Sequence, residues 1–233
     1  MAVDSEALKK QAAQAACDLI EDGMVVGLGS GTTASHAINA LAERVGKGLN
    51  IMAIPTSESS RLLAEQHSIK LTTFAQHPKI DITIDGADQV EARSLNLIKG
   101  LGNALLREKI VARASKKLVI MVDERKMVDC LGNQTPLPVE IIPFGWEVTQ
   151  QAISRYCLAT RLKLDSNSKP LLTDCGHYLL QCDIPKISDA AKLDKDLKLI
   201  TGVVETGLFI QMASLVIVAK QDGIVLLQSA QLH

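Results

Sequence analysis

The sequence predicts an α/β fold: a mostly parallel, Rossmann-like sheet domain with a second, smaller α+β domain. Three observations carry the prediction. Short apolar, β-branched runs alternate with segments of helical periodicity as far as Asp123, the pattern of crossovers between parallel strands. Glycine and hydroxyl residues mark the first strand-to-helix junctions, "GLGSGTT" and "TSESS". After Asp123 the alternation gives way to proline-rich and turn-rich stretches, which read as a different kind of unit.

The first helix spans Ser5 to Asp22, with Leu8, Ala12, Ala15, Leu19 and Ile20 on one face and Gly23 as its stop. "MVVGLGSGTT" gives a strand and a glycine loop, and from Thr33 the residues Ala34, Ala37, Ile38, Leu41 and Val45 return to helical spacing. "LNIMAIPTS" reads as a strand, "SESSRLLAEQH" as a helix, and "IKLTTF" and "IDITID" as two more strands. Asn103 to Ala114 is helical through Leu105, Leu106, Ile110 and Val111, and "KLVIMVD" is a buried strand. "QTPLPVEIIPFG" then brings three prolines. "LATRLKL" and "YLLQCDI" are strands around the turn-rich "DSNSKPLLTDCGH", and a helix covers Ser188 to Ile200. The tail, "ASLVIVAKQDGIVLLQ", is two strands joined through Gln221, Asp222 and Gly223. Residues 1–131 with 206–233 are expected to form the α/β catalytic domain, and 132–205 the smaller α+β domain.

Apolar residues make up 47% of the 233 and aromatics only 3%, so the core is aliphatic. The formal net charge is −1 with no long basic run, which excludes a nucleic-acid binding face; a small anion needs only a local positive cluster. No segment approaches the roughly 20 apolar residues of a membrane span, and the N-terminal stretch carries charges throughout, so no membrane is expected and the expected location is cytoplasmic. Five scattered cysteines lack a CxxC pair, and their odd number argues against a disulfide framework; they are expected as core residues or free thiols.

Three segments can hold chemistry, because open α/β sheets bind ligands beyond the carboxyl ends of their strands. "GLGSGTT", Gly27 to Thr33, is either a phosphate cradle or a plain tight turn; it lacks both the GK[ST] ending and the GxGxxG spacing. "TSESS", Thr56 to Ser60, is a helix cap or part of a polar pocket. The third runs from Asp85 to Lys109. Its Asp85, Asp88, Lys99 and Glu108 supply acids, a base and a cation suited to proton transfer beside a carbonyl, or else form a solvated charged loop. Without histidine or cysteine nearby it does not suit a transition metal, although its carboxylates are compatible with Mg²⁺.

The ordered segments "GLGSGTT", "TSESS", "DGADQ", "KGLGNALLREK", "VDERK", "LPVEIIPFG" and "GVVETGLF" resemble ribose-5-phosphate isomerase, type A, along nearly the whole chain. The resemblance implies an aldose–ketose isomerase of the non-oxidative pentose phosphate pathway that interconverts ribose 5-phosphate and ribulose 5-phosphate. It implies no cofactor or metal, and a homodimer or larger assembly. The family's base falls on Glu108, its acidic pair on Asp85 and Asp88, the lysine of its glycine-rich segment on Lys99, and the lysine after the "VD" strand on Lys126. Ser30, Gly31, Thr32 and Thr33 fall in the ligand-contacting loop, and Gly86, Ala87, Gly100, Leu101 and Gly102 join the substrate-binding set.

The chain departs from the family pattern at Gln89 in place of glutamate, at Leu101 and Asn103 in place of glycines, and at Cys175 and His177 in "TDCGH" in place of asparagines. A leucine at a position needing positive φ would be strained, whereas asparagine tolerates it. Rival classes are a sugar-phosphate sensor of the DeoR type, for which the first helix leaves no room for a preceding DNA-binding unit, and a coenzyme A transferase or amino-sugar phosphate deaminase. "DGAD" together with "REK" favours the isomerase.

Overall fold

The computed structural model describes residues 5–228; the outermost residues of the expected catalytic domain, 1–4 and 229–233, lie outside them. The chain divides into two compact units. The first comprises residues 5–87, 107–126 and 212–228 of the described chain, and the second comprises Asp88–Leu106 and Met127–Gln211.

The first unit is built on a six-stranded sheet. In chain order its strands are β1 (Val25–Leu28), β2 (Met52–Pro55), β3 (Ile80–Gly86), β6 (Ser115–Asp123), β13 (Leu215–Lys220) and β14 (Gly223–Gln228), arranged β14-β13-β6-β3-β1-β2. All pairs are parallel except the β13–β14 hairpin, as the alternation of strands and helices predicts. The helices α1 (Ser5–Cys17), α2 (Gly31–Gly46), α3 (Glu58–Gln66) and α4 (Leu105–Arg113) connect or flank these strands. Leu8, Ala12 and Cys17 of α1 and Ala37, Ile38 and Leu41 of α2 bury against Val26, Leu28, Ile82, Ile84 and Met121. This core is aliphatic, as the scarcity of aromatics requires. Burial pushes the Cys17 thiol up to about 12, which marks it as a packing residue.

The first helix ends at Cys17 rather than Asp22, and Leu19, expected on the buried face, is 41% exposed. Ile110 of α4 is likewise 49% exposed. "IKLTTF" makes only one bridge, Leu71 to Ala53. Its extension is stopped by a turn in which the Gln76 and His77 N–H groups donate to the Thr73 carbonyl, and Thr72 Oγ1 bonds His77 Nδ1 at 2.7 Å.

The second unit holds two four-stranded sheets. One has the order β11-β8-β10-β9, from β8 (Leu137–Ile141), β9 (Ala159–Leu162), β10 (Tyr178–Asp183) and β11 (Val203–Thr206). The other has the order β12-β5-β4-β7, from β4 (Gln89–Glu91), β5 (Leu97–Ile98), β7 (Met127–Val128) and β12 (Leu208–Phe209). α5 (Trp146–Ile153), which the sequence did not suggest, and α6 (Ala190–Lys198) complete the unit. The expected smaller domain, 132–205, lies inside this unit, which also takes in 88–106, 127–131 and 206–211. The physical reason is a shared core: Ile98, Val128, Leu131 and Leu208 bury in one cluster with Val139, Leu180 and Leu197.

Candidate active site

In a parallel sheet the carboxyl ends of the strands share one edge. In the first unit this edge gathers the loops after Leu28, Pro55, Gly86 and Asp123. The two hydroxyl-rich junctions meet there. Ser30 Oγ and Thr56 Oγ1 are 2.6 Å apart, and Ser60 Oγ donates to the Gly29 carbonyl at 2.6 Å. Ser57 also caps α3, accepting the Ser60 N–H at 3.1 Å, so "TSESS" is a cap and also braces the glycine loop. Ser30 is the N-cap residue of α2, but its hydroxyl is turned to Thr56 and makes no cap bond. The first turn of α2 therefore keeps N–H groups for an anion, beside the hydroxyls of Thr32 and Thr33.

Asp85 is joined to this loop. Its Oδ1 accepts the Ser30 N–H at 3.1 Å and the Gly86 N–H at 2.8 Å, and the residue is 1% exposed. The approach needs glycine at position 29, where a Cβ would stand 2.2 Å from Asp85 Oδ1. A Cβ on Gly86 would lie 3.8 Å from that of Thr33. Ser30, Thr33, Asp85 and Gly86 are thus brought together within one unit. Lys126 follows β6, close to Asp123, whose carboxyl the Arg125 guanidinium holds below the usual range, with Lys126 adding to the effect.

Glu108 sits in the first turn of α4 and is 4% exposed. Its neighbour Arg107 reaches Glu58, in the first turn of α3, at 2.8 Å. The histidines of the described chain have other partners: His36 meets Glu6 at 2.8 Å, His67 meets Asn39 at 2.8 Å, and His177 meets Glu140 at 2.9 Å, with His77 in the turn above.

The second unit holds Asp88, Lys99 and the "KGLGN" turn. The Asp88 N–H donates to the Ile98 carbonyl at 2.8 Å, and Asp88 Oδ2 accepts the Leu101 N–H at 2.9 Å. Lys99 is 3% exposed, with its N–H donated to the Gly207 carbonyl at 2.9 Å and its Nζ 5.4 Å from the centre of the Phe209 ring, a cation–π contact. Gly100 has φ +107° and Asn103 has φ +72°; Leu101 is not among the described residues with positive φ, so the expected strain does not arise. Lys163, which the sequence did not single out, donates from Nζ to the Leu101 carbonyl at 2.5 Å. It lies in a strand-like "LKL" run with no motif around it, so no sequence signal marks it.

The other departures also have local partners. Gln89 is fully buried and its Oε1 accepts the Gly132 N–H at 2.7 Å, while its Nε2 finds no acceptor among the described residues. His177 Nδ1 and Thr173 Oγ1 both lie 2.9 Å from the buried Glu140 Oε1, so the histidine occupies the carboxylate that "TDCGH" packs against; Cys175 is exposed. Among the described residues no three His, Cys, Asp or Glu side chains are grouped to hold a metal ion.

Comparison with known proteins bears on this arrangement. The family model "Ribose 5-phosphate isomerase A (phosphoriboisomerase A)" matches residues 52–223. Ribose-5-phosphate isomerase A of Gloeobacter violaceus is 51% identical over 222 residues, covering 95% of this chain and 96% of that protein. The protein of the same name from Gluconobacter oxydans is 48% identical over 223 residues, with coverage of 95% and 96%. A solved D-ribose-5-phosphate isomerase in complex with phospho-erythronic acid superposes with TM-score 0.94 at 38% identity, covering 97% of this chain and all of that one. Ribose 5-phosphate isomerase A of Methanocaldococcus jannaschii superposes with TM-score 0.92, also at 38% identity, over 96% of this chain and 99% of its own. With its fold, its ordered motifs and nearly its whole length shared with these proteins, the chain belongs to the ribose 5-phosphate isomerase A family.

Proposed function

We propose that this chain interconverts D-ribose 5-phosphate and D-ribulose 5-phosphate as an aldose–ketose isomerase, in the non-oxidative branch of the pentose phosphate pathway. The observation that carries the reading is buried charge in the family's motif segments. Asp85, Lys99 and Glu108 are 1%, 3% and 4% exposed. Burying ionisable groups is costly unless they are paired or used, and here three of them fall on the segments that the family resemblance assigns to catalysis.

The roles follow from the chemistry. The open N–H groups of α2, the hydroxyls of Ser30, Thr32 and Thr33, and Lys126 suit the phosphate dianion. Asp85 is fixed by two backbone N–H groups and acts in opening the sugar ring. Glu108 takes the C2 proton of the open-chain aldose and returns it to C1, since a carboxylate can serve both adjacent carbons. The intermediate is a cis-enediolate; Lys99, a fixed cation, stabilises its charge, and Lys99 with Asp88 carries the proton that passes from the C2 oxygen to the C1 oxygen. Asp88, with Gly86, Ala87 and Gly100 to Gly102, completes the substrate contacts. The bound phospho-erythronic acid of the solved relative, a phosphorylated sugar acid, agrees with such a substrate. These steps call on no cofactor or metal.

Among the described residues no helix is long and apolar enough to cross a membrane. We also assign it a homodimer. Phe144, Val148 and Leu199 of the second unit are 93%, 72% and 76% exposed, apolar surface that a second copy of the chain could cover. The test of function is NMR of ribose 5-phosphate mixed with pure protein. Appearance of ribulose 5-phosphate to equilibrium is expected; an unchanged spectrum, or release of ammonia from an amino-sugar phosphate instead, rejects the reading.

A further inference from the structure

We propose that Lys163 is a positioning residue for the isomerisation: from outside the motif segments it sets the orientation of the Leu101–Gly102 peptide and places a cation near Asp88. The inference rests on the reading above, in which Asp88 and Gly100 to Gly102 contact the substrate.

The anchor is rigid. Lys163 continues β9, its N–H donating to the Leu179 carbonyl at 2.8 Å and its carbonyl accepting the Leu171 N–H at 2.9 Å. From this fixed backbone the side chain crosses to Leu101, 62 residues earlier in sequence, and is part-buried there. Burial depresses its pKa and the Asp88 charge opposes the fall, so the ammonium is partly desolvated within the field of that carboxylate.

The target needs an anchor. "KGLGN" is a tight turn in which Gly100 and Asn103 have positive φ and the Asn103 N–H donates to the Gly100 carbonyl at 3.0 Å. Glycine on both sides of Leu101 leaves its flanking peptides open to rotation. Two contacts remove that freedom. Asp88 Oδ2 takes the Leu101 N–H at 2.9 Å, and Lys163 Nζ takes the Leu101 carbonyl at 2.5 Å. A trans peptide is planar, with its carbonyl and N–H pointing opposite ways. Drawing the Leu101 carbonyl toward Lys163 therefore turns the Gly102 N–H to the other side. If this peptide flipped, a carbonyl oxygen would replace the N–H on that side, which is unfavourable toward a developing oxyanion. The motif residues supply contacts to the substrate, and Lys163 selects which group of this peptide faces it.

The test compares wild type with Lys163→Met and Lys163→Arg in ribose 5-phosphate isomerisation, with thermal unfolding alongside. The methionine keeps the packing but loses the donor and charge. The arginine keeps both. Lys163→Met is expected to lose about tenfold or more in kcat, the scale on which small misplacements act, with its melting temperature close to wild type. Lys163→Arg is expected to recover kcat to within about threefold of wild type. Should the methionine variant fail to fold, Lys163→Gln takes its place, with the same loss and the same rescue by arginine expected. An active wild type whose Lys163→Met or Lys163→Gln variant keeps kcat within twofold overturns this proposal alone. Equal losses in the neutral and arginine variants, with parallel losses of stability, overturn it as well, because that is a packing effect. A wild type that does not isomerise ribose 5-phosphate rejects the parent reading and this one with it.

Discussion

The residues that depart from the family pattern each find local partners or a tolerated backbone conformation. Leu101 keeps negative φ and uses only its backbone, N–H to Asp88 and carbonyl to Lys163, so its side chain is incidental to the turn. Asn103 carries the left-handed conformation at φ +72°, which asparagine tolerates. Gln89 satisfies the Gly132 N–H through its oxygen, as a glutamate oxygen also can. Leu101→Gly and Gln89→Glu, made singly, should each leave kcat within about tenfold, or about 1.4 kcal/mol of barrier. Steady-state kinetics on the two variants decide it, and a rise of a hundredfold in either would mark the present chain as a weakened isomerase. Asp85, Asp88, Lys99 and Glu108 could be singled out in the sequence because charges gathered after an apolar strand and at a helix start are conspicuous, whereas Lys126 was named by the family resemblance alone. Lys163 could not be singled out, because its partner is a backbone carbonyl and a carbonyl leaves no trace in the residue types.

Among the elements, β1 and β3 determine where Asp85 can stand. They pair in parallel with Gly27 opposite Thr83, and a Cβ at Gly27 would come within 1.9 Å of Thr83 Oγ1. The same closeness persists one turn of the pleat later, at Gly29 and Asp85. Gly29→Ala must push Asp85 off its two N–H donors. The expected cost is about 1 to 3 kcal/mol of stability from overpacking, together with a clear fall in kcat/KM. Denaturant unfolding and kinetics on this variant would count against the account if both stayed at wild-type values. The parallel elements of this unit were readable because their apolar runs are four residues or longer and alternate with amphipathic helices. β5, β7 and β12 are two residues long, too short to show any period, so their sheet and the reach of the second unit could not be read from the chain. The single-bridge segment at Leu71 failed for the opposite reason: its residues favour a strand, but the Thr73 turn ends it.

For the whole molecule, the proposed reaction uses the phosphate as a handle and needs no metal. Binding energy from a remote phosphate is available to lower the barrier at C1 and C2, so free ribose should be turned over at a small fraction of the kcat/KM for ribose 5-phosphate. Comparable values for the two sugars would remove the α2 loop and Lys126 from the site. Exhaustive dialysis against EDTA should leave activity unchanged, because the proposed mechanism gives the stabilisation of the enediolate to Lys99; loss of activity restored by Mg²⁺ would replace this mechanism with a metal-assisted one. In the proposed mechanism Glu108 moves the proton. The described histidines are engaged elsewhere, and Glu108 is a buried carboxylate within the "REK" motif. The most direct measurement is the rate of ribose 5-phosphate isomerisation in D₂O, followed by NMR, for wild type and Glu108→Gln. The nearly isosteric variant is expected to fold and bind ribose 5-phosphate as wild type does, while its kcat and its deuterium incorporation at C1 and C2 fall by at least about 10²-fold, the lower range for a lost general base. A Glu108→Gln enzyme that isomerises and exchanges deuterium at near-normal rates would contradict it.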